Sequence, residues 1–134
     1  MNTPIIVPTY AAILVLIFVF LSFRVIQMRA SAKIGLGHGG DLAMERRIRV
    51  HGNFAEYVPL ALLLLAFMEM QSHSRYLIHI LCIVLIIARL MHAVGVTPVN
   101  ESFPLRVASV LTTFAVLVIA AIFLLINGLR AGFI

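Results

Sequence analysis

Apolar residues run along this chain in four long blocks separated by short polar or glycine-rich breaks. The first block covers residues 5–29, and no charge interrupts it before Arg24. Pro4 and Pro8 stand near its start, where a missing N–H matters least to a helix. The second block begins at Asp41 or Met44 and ends near Met70, but its strictly charge-free part is only residues 57–68. The third covers residues 76–94, and the fourth is free of charge from 107 to 129. About 20 apolar residues cross a bilayer as a helix, so the pattern predicts four transmembrane helices. The connector between the second and third blocks is short, which makes those helices antiparallel neighbours. The predicted fold is an all-α integral membrane protein, an up-down bundle of four helices forming one domain over residues 1–134.

One block does not fit a plain apolar span. In Glu45-Arg46-Arg47-Ile48-Arg49-Val50-His51-Gly52-Asn53-Phe54-Ala55-Glu56-Tyr57-Val58-Pro59, charged groups continue into the apolar stretch. Arg46, Arg49, Asn53 and Glu56 recur at steps of three, four and three and so share one helical face. The helix can span only if that stripe is submerged or lines a wet cleft. Ionisable groups at such depth are costly and tend to line interior sites or pair with one another. Pro59 should bend the helix and free the carbonyl of Ala55.

Composition sharpens the class. With 63% hydrophobic and 11% charged residues in 134, the chain is too apolar for a soluble globule. The first block has no basic flank before it and is long for a signal-peptide core, so a retained helix is expected. A net charge of +5 could suggest nucleic acid, but the basic residues flank apolar spans and no soluble basic domain exists to hold a duplex. With both termini on one side, Arg24, Arg29, Lys33, Arg46, Arg47, Arg49, Arg89 and Arg106 fall toward the other, leaving Arg75 and Arg130 opposite. The positive-inside rule then places loops 1–2 and 3–4 in the cytosol and both termini outside it.

The stripe, with Arg29, His92 and Arg106 brought in by the same bundle end, holds guanidiniums that clamp carboxylates, an amide, and a carboxylate that receives an ammonium group. That inventory suits glutathione, with its two carboxylates, one amine and two amides. It also suits an internal ion-pair network that locks the helices together, and the residues alone leave both readings open. Cys82, the single cysteine, falls in an apolar helix and reads as an inert thiol. His79 reads as a packed or locally bonded histidine, since no second ligand stands four residues away, and no metal site is expected. His51 points off the stripe and reads as a structural bridge. The glycine-rich run at residues 35–40 lacks the Gly-Lys-Ser/Thr ending of a phosphate loop and reads as a flexible connector. Glu69 reads as a marker of the far membrane surface.

The run from Glu45 to Pro59 resembles the second-helix signature of the MAPEG family, membrane-associated proteins in eicosanoid and glutathione metabolism. Glu45-Arg46, Arg49, His51, Asn53, Glu56, Tyr57 and Pro59 carry the match. Ala88-Arg89-Leu90-Met91-His92 looks like the end of the family's third helix, and Leu105-Arg106 falls where the family has an arginine opening the fourth. The resemblance implies a bacterial-type, inner-membrane, microsomal glutathione transferase-like protein that assembles as a homotrimer. It implies glutathione as co-substrate, held by Arg29, Arg49, Asn53, Glu56, Tyr57 and His92, with Arg106 as the catalytic residue that keeps the cysteinyl sulfur as thiolate. The second substrate would be an apolar electrophile or a lipid hydroperoxide. One departure is Val96, where several relatives carry a glutathione-contacting tyrosine. The family also includes a member that binds lipid without catalysis, so a lipid-binding or scaffold protein of the same fold is the alternative.

Overall fold

The computed structural model describes residues 3–71, 74–97 and 102–132. Within them the chain forms α1 (Ile6–Ala32), α2 (Leu42–Met70), α3 (Arg75–Val96) and α4 (Phe103–Arg130). All four are long and apolar enough to cross a membrane. Parts of the two short connectors marked by the sequence, residues 72–73 and 98–101, lie outside the described residues.

Local chemistry sets the helix ends. Asp41 caps α2, its Oδ1 accepting from the N–H groups of Ala43 and Met44 at 2.8 and 3.1 Å, which satisfies donors that a helix start leaves open. Pro104 sits in the first turn of α4, where its ring costs no hydrogen bond. Lys33 ends α1 in the left-handed conformation, with its N–H on Arg29 O. The glycine-rich connector that follows has bonds of its own: Arg29 donates to Gly37 O at 2.9 Å and Asp41 N–H to His38 O at 2.9 Å. α2 runs through Pro59 as one helix.

α2 and α3 form the middle of the bundle. α1 packs on both from one side and α4 on both from the other; among the described residues α1 and α4 do not touch. The core between them is apolar and closely filled, with Leu14, Ala61, Leu65, Met68, Ile78, Leu85, Val116 and Ala120 all buried. Elsewhere the helices present long apolar faces outward, among them Leu16, Phe20, Leu111 and Leu125, as a lipid-facing surface requires. Gly95 lets α3 and α4 close at one end. A Cβ there would meet Leu105 Cβ at 3.2 Å and Arg106 N at 3.3 Å, and Gly95 O accepts the N–H of Ser102 at 3.0 Å.

The opposite end is tied by Glu69. Its Oε1 accepts from the N–H groups of Ile5 and Ile6 at 2.7 Å, and its Oε2 from Val7 at 2.8 Å. A carboxylate from the end of α2 therefore caps the start of α1, where no side chain of α1 itself does so, and its charge faces the positive end of that helix dipole. Glu69 is thus a cross-helix cap rather than a mere surface marker. Asn127 adds a bond to Gln71 Oε1 at 3.0 Å at the same end. Glu69→Ala should cost at least about 2 kcal/mol, because three charge-assisted bonds are lost together. A drop of roughly 5 °C or more in the thermal midpoint of detergent-solubilised protein is expected, and an unchanged midpoint would show that α1 docks without this cap.

Candidate functional site: a cationic cleft around a buried arginine

Arg89 is the residue around which the site is built. It lies 14 residues into α3, about 21 Å along the helix and so within the apolar depth of a bilayer core of about 30 Å. Only 2% of it is exposed. Its Nη1 donates to Asn53 Oδ1 on α2 at 2.6 Å, and its Nη2 to Thr113 Oγ1 and to Ser109 O on α4, the latter at 3.3 Å. The ring of Tyr57 lies 6.0 Å from its guanidinium carbon, within range of a cation–π contact, and packs edge-on against Phe114. One side chain thus joins three helices. No carboxylate pairs with Arg89 among the described residues, and its Nε has no hydrogen-bond partner. A buried cation held only by neutral dipoles is incompletely compensated.

Beside it a cleft of about 330 Å³ opens between α2, α3 and α4, lined by Leu42, Glu45, Arg46, Arg49, Asn53, His92, Val96, Arg106 and Val110. Three arginines against one glutamate give its wall an excess of positive charge, and partial enclosure by an apolar bundle strengthens that field. Arg46 also donates to Val96 O at 3.4 Å, tying α2 to the end of α3. Arg106 stands in the first turn of α4, brought over the cleft by the close approach at Gly95. An apolar groove of about 280 Å³ lies next to the cleft along α4, lined by Phe103, Arg106, Val107, Val110 and Leu111. Arg106 and Val110 belong to both.

The predicted site residues therefore divide. Arg49, Asn53, His92 and Arg106 meet in the cleft. Arg29 does not; its guanidinium is engaged with the 33–41 connector through Gly37 O. Tyr57 stands behind Asn53, against Arg89. Glu56 is exposed on the outer face of α2 in the single chain, 14 residues from the end of α2 at Met70, again about 21 Å deep. Val96 puts an apolar side chain on the cleft wall. His51 bridges as expected: its Nε2 is 3.0 Å from Ser22 Oγ, and its ring stacks on Phe18 at 4.7 Å. His79 Nδ1 pairs with Tyr10 OH at 3.0 Å. Among the described residues no group of three His, Cys, Asp or Glu could hold a metal.

Arg89 is the site residue that sequence reasoning passed over. The available signal was a lone charge inside an apolar span, which must find partners. Ser109 and Thr113, four apart on the facing helix, were the candidates to supply them.

Four membrane-length helices around a cation-lined interior cleft define an integral membrane protein with an open, positively charged cleft between α2, α3 and α4. Residues 7–126 match the MAPEG family model, and the chain belongs to the MAPEG family. It is also similar to the inner membrane protein YecN of Escherichia coli strain K12 and to the protein of that name in E. coli O6:H1. Each is 40% identical over 86 residues, covering 64% of this chain and 66% of the relative, just under two thirds of its length.

The incomplete compensation of Arg89 sets an expectation. Arg89→Met fills similar volume and removes a costly buried charge, so the ligand-free protein should melt within about 2 °C of wild type or above it. Anionic-ligand binding at the cleft should weaken roughly tenfold or more, since Asn53 loses the group that orients it. A large fall in melting temperature with binding intact would make Arg89 a structural lock instead.

Proposed function

We propose that the protein is a membrane glutathione transferase, with peroxidase activity toward lipid hydroperoxides as a further capacity, acting as a homotrimer in an inner membrane. The observation that carries this reading is the position of Arg106, shared by the cationic cleft and the apolar groove. A polar thiol bound in the first would meet an apolar electrophile in the second at one guanidinium. Arg46 and Arg49 would receive the carboxylates of glutathione bidentately, and Asn53, oriented by Arg89, its amides. The Arg106 cation would favour the thiolate over the thiol, and the thiolate is the nucleophile. In a transferase cycle the sulfur bonds to the electrophilic carbon as the leaving group departs. Electrostatic stabilisation of the sulfur dominates, and proton transfer is secondary.

The homotrimer supplies what a single chain leaves open. An exposed carboxylate at the depth of Glu56 is unfavourable against lipid, and a neighbouring copy would cover it and complete the ligand's ammonium site. Arg29, turned to the connector here, would reach the ligand of that neighbour. The same logic places the cation-rich end, with loops 1–2 and 3–4, in the cytosol. The likeness to a protein named as an inner membrane protein supports the compartment.

Val96 favours a second reading, a lipid-binding or scaffold protein of the same fold without catalysis. It leaves the cleft wall apolar where a hydroxyl would help hold glutathione.

Titrating glutathione into the purified assembly while following heat and thiolate ultraviolet absorbance separates the two. Heat with a rise in thiolate absorbance is expected; heat without thiolate favours the second reading, and no heat removes the first. Arg106→Ala should abolish the thiolate signal and weaken binding less than about tenfold, whereas Glu56→Ala should weaken binding by more than that. Equal losses in both variants would overturn this division of roles.

A further inference from the structure

A second group of cations stands away from the cleft. Arg47 does not share the face of Arg46, Arg49 and Asn53; at steps of four and three it lines up with His51 and Phe54, which pack toward α1. Its Nη1 donates to Arg24 O at 3.2 Å. Arg24 reaches only Thr97 Oγ1, at 3.5 Å, the long end of a hydrogen bond, with Phe20 6.0 Å beneath its guanidinium. Both arginines are half-buried, they repel each other, and neither pairs with a carboxylate among the described residues. Most of their donors are therefore uncommitted.

Their depth is specific. Arg24 lies 18 residues beyond Ile6, and Arg47 22 residues before Glu69, so both stand about 27 to 33 Å along the helices from the Glu69 end. That is the boundary between a hydrocarbon core of about 30 Å and its headgroups. From Arg24 an exposed stripe of Phe23, Phe20 and Leu16, at steps of three and four, runs back into the apolar depth.

We propose that Arg24 and Arg47 form a binding site for the phosphate of an anionic phospholipid, at the α1–α2 seam, with an acyl chain along Leu16, Phe20 and Phe23. Two guanidiniums match a phosphate diester's oxygens. With no carboxylate paired with them among the described residues, they select a headgroup of net negative charge over a zwitterionic one. The single negative charge of the bound lipid offsets the repulsion between the two cations and staples α1 to α2 at the end of the bundle where the cleft opens.

The test is lipid retention by native mass spectrometry. Protein is taken from nanodiscs of phosphatidylcholine and phosphatidylglycerol in equal amounts into detergent. Wild type should keep phosphatidylglycerol in preference to phosphatidylcholine by roughly tenfold or more, and Arg24→Gln/Arg47→Gln should lose that preference. Arg75→Gln/Arg130→Gln, at the opposite end, should keep it. The glutathione heat of the Arg24/Arg47 double variant should match wild type, because neither residue lines the cleft, so this site and the glutathione reading fail separately. Equal retention of the two lipids by wild type overturns the proposal even if the double variant does not fold. So does displacement of phosphatidylglycerol by millimolar glycerol phosphate, which would make the ligand a soluble anion. Unchanged preference in a folded double variant also overturns it.

Discussion

A guanidinium held in the apolar depth of the bundle is the constraint that orients the cleft and the side chains around it. Arg89 cannot reach water, and its hydrogen bonds to Asn53, Ser109 O and Thr113 Oγ1 fix α2 and α4 about α3. In a membrane, helix association draws on close packing and on interhelical hydrogen bonds together, and here the buried apolar core supplies the first while Arg89 supplies the second. It also places Asn53 with its carbonyl oxygen turned inward to Arg89, so its amide group is left to face the cleft. The orientation of a cleft-lining side chain thus follows from a bond that also joins two helices.

Charge at the two ends of the bundle is handled in opposite ways. At one end Glu69 is consumed by three backbone donors and the polar contacts are closed among themselves. At the other, cations outnumber carboxylates in the cleft wall, and Arg24 and Arg47 stand together with no carboxylate paired to either among the described residues. Among the described residues the excess of positive charge is thus concentrated at one end of the bundle, where the cleft opens. The groove along α4 at Val107 and Leu111 opens instead on the lipid-facing surface.

Three of the helices were legible because their apolar blocks are long enough to span, the second because its polar stripe continues a short apolar run at helical spacing, and their ends moved by only a few residues in the structure. The face shared by Arg46, Arg49 and Asn53 was legible too, since 3.6-residue periodicity is a property of the sequence itself. What was not legible depends on partners far along the chain. Ser109 and Thr113 look like small polar residues in an apolar helix until Arg89 is seen against them. Glu69 looks like a boundary charge until the start of α1 arrives beside it. The close approach at Gly95, which seats Arg106 over the cleft, leaves no periodic trace at all. Glu56 was read as part of the stripe, but it is exposed and does not line the cleft with Arg46, Arg49 and Asn53, and periodicity cannot say which body covers it.

Glu56 and Arg89 also bear on each other. Both stand about 21 Å along their helices from the closed end; one is an exposed anion and the other a buried cation with an unsatisfied Nε. In a lone chain each is unfavourable, and no carboxylate pairs with Arg89 among the described residues. The shortfall is of the kind that a bound ligand or a second protein surface relieves, by covering Glu56 and by bringing negative charge toward the α2–α3–α4 cleft. The chain therefore carries, at one depth, two residues of opposite sign that neither burial nor pairing compensates among the described residues.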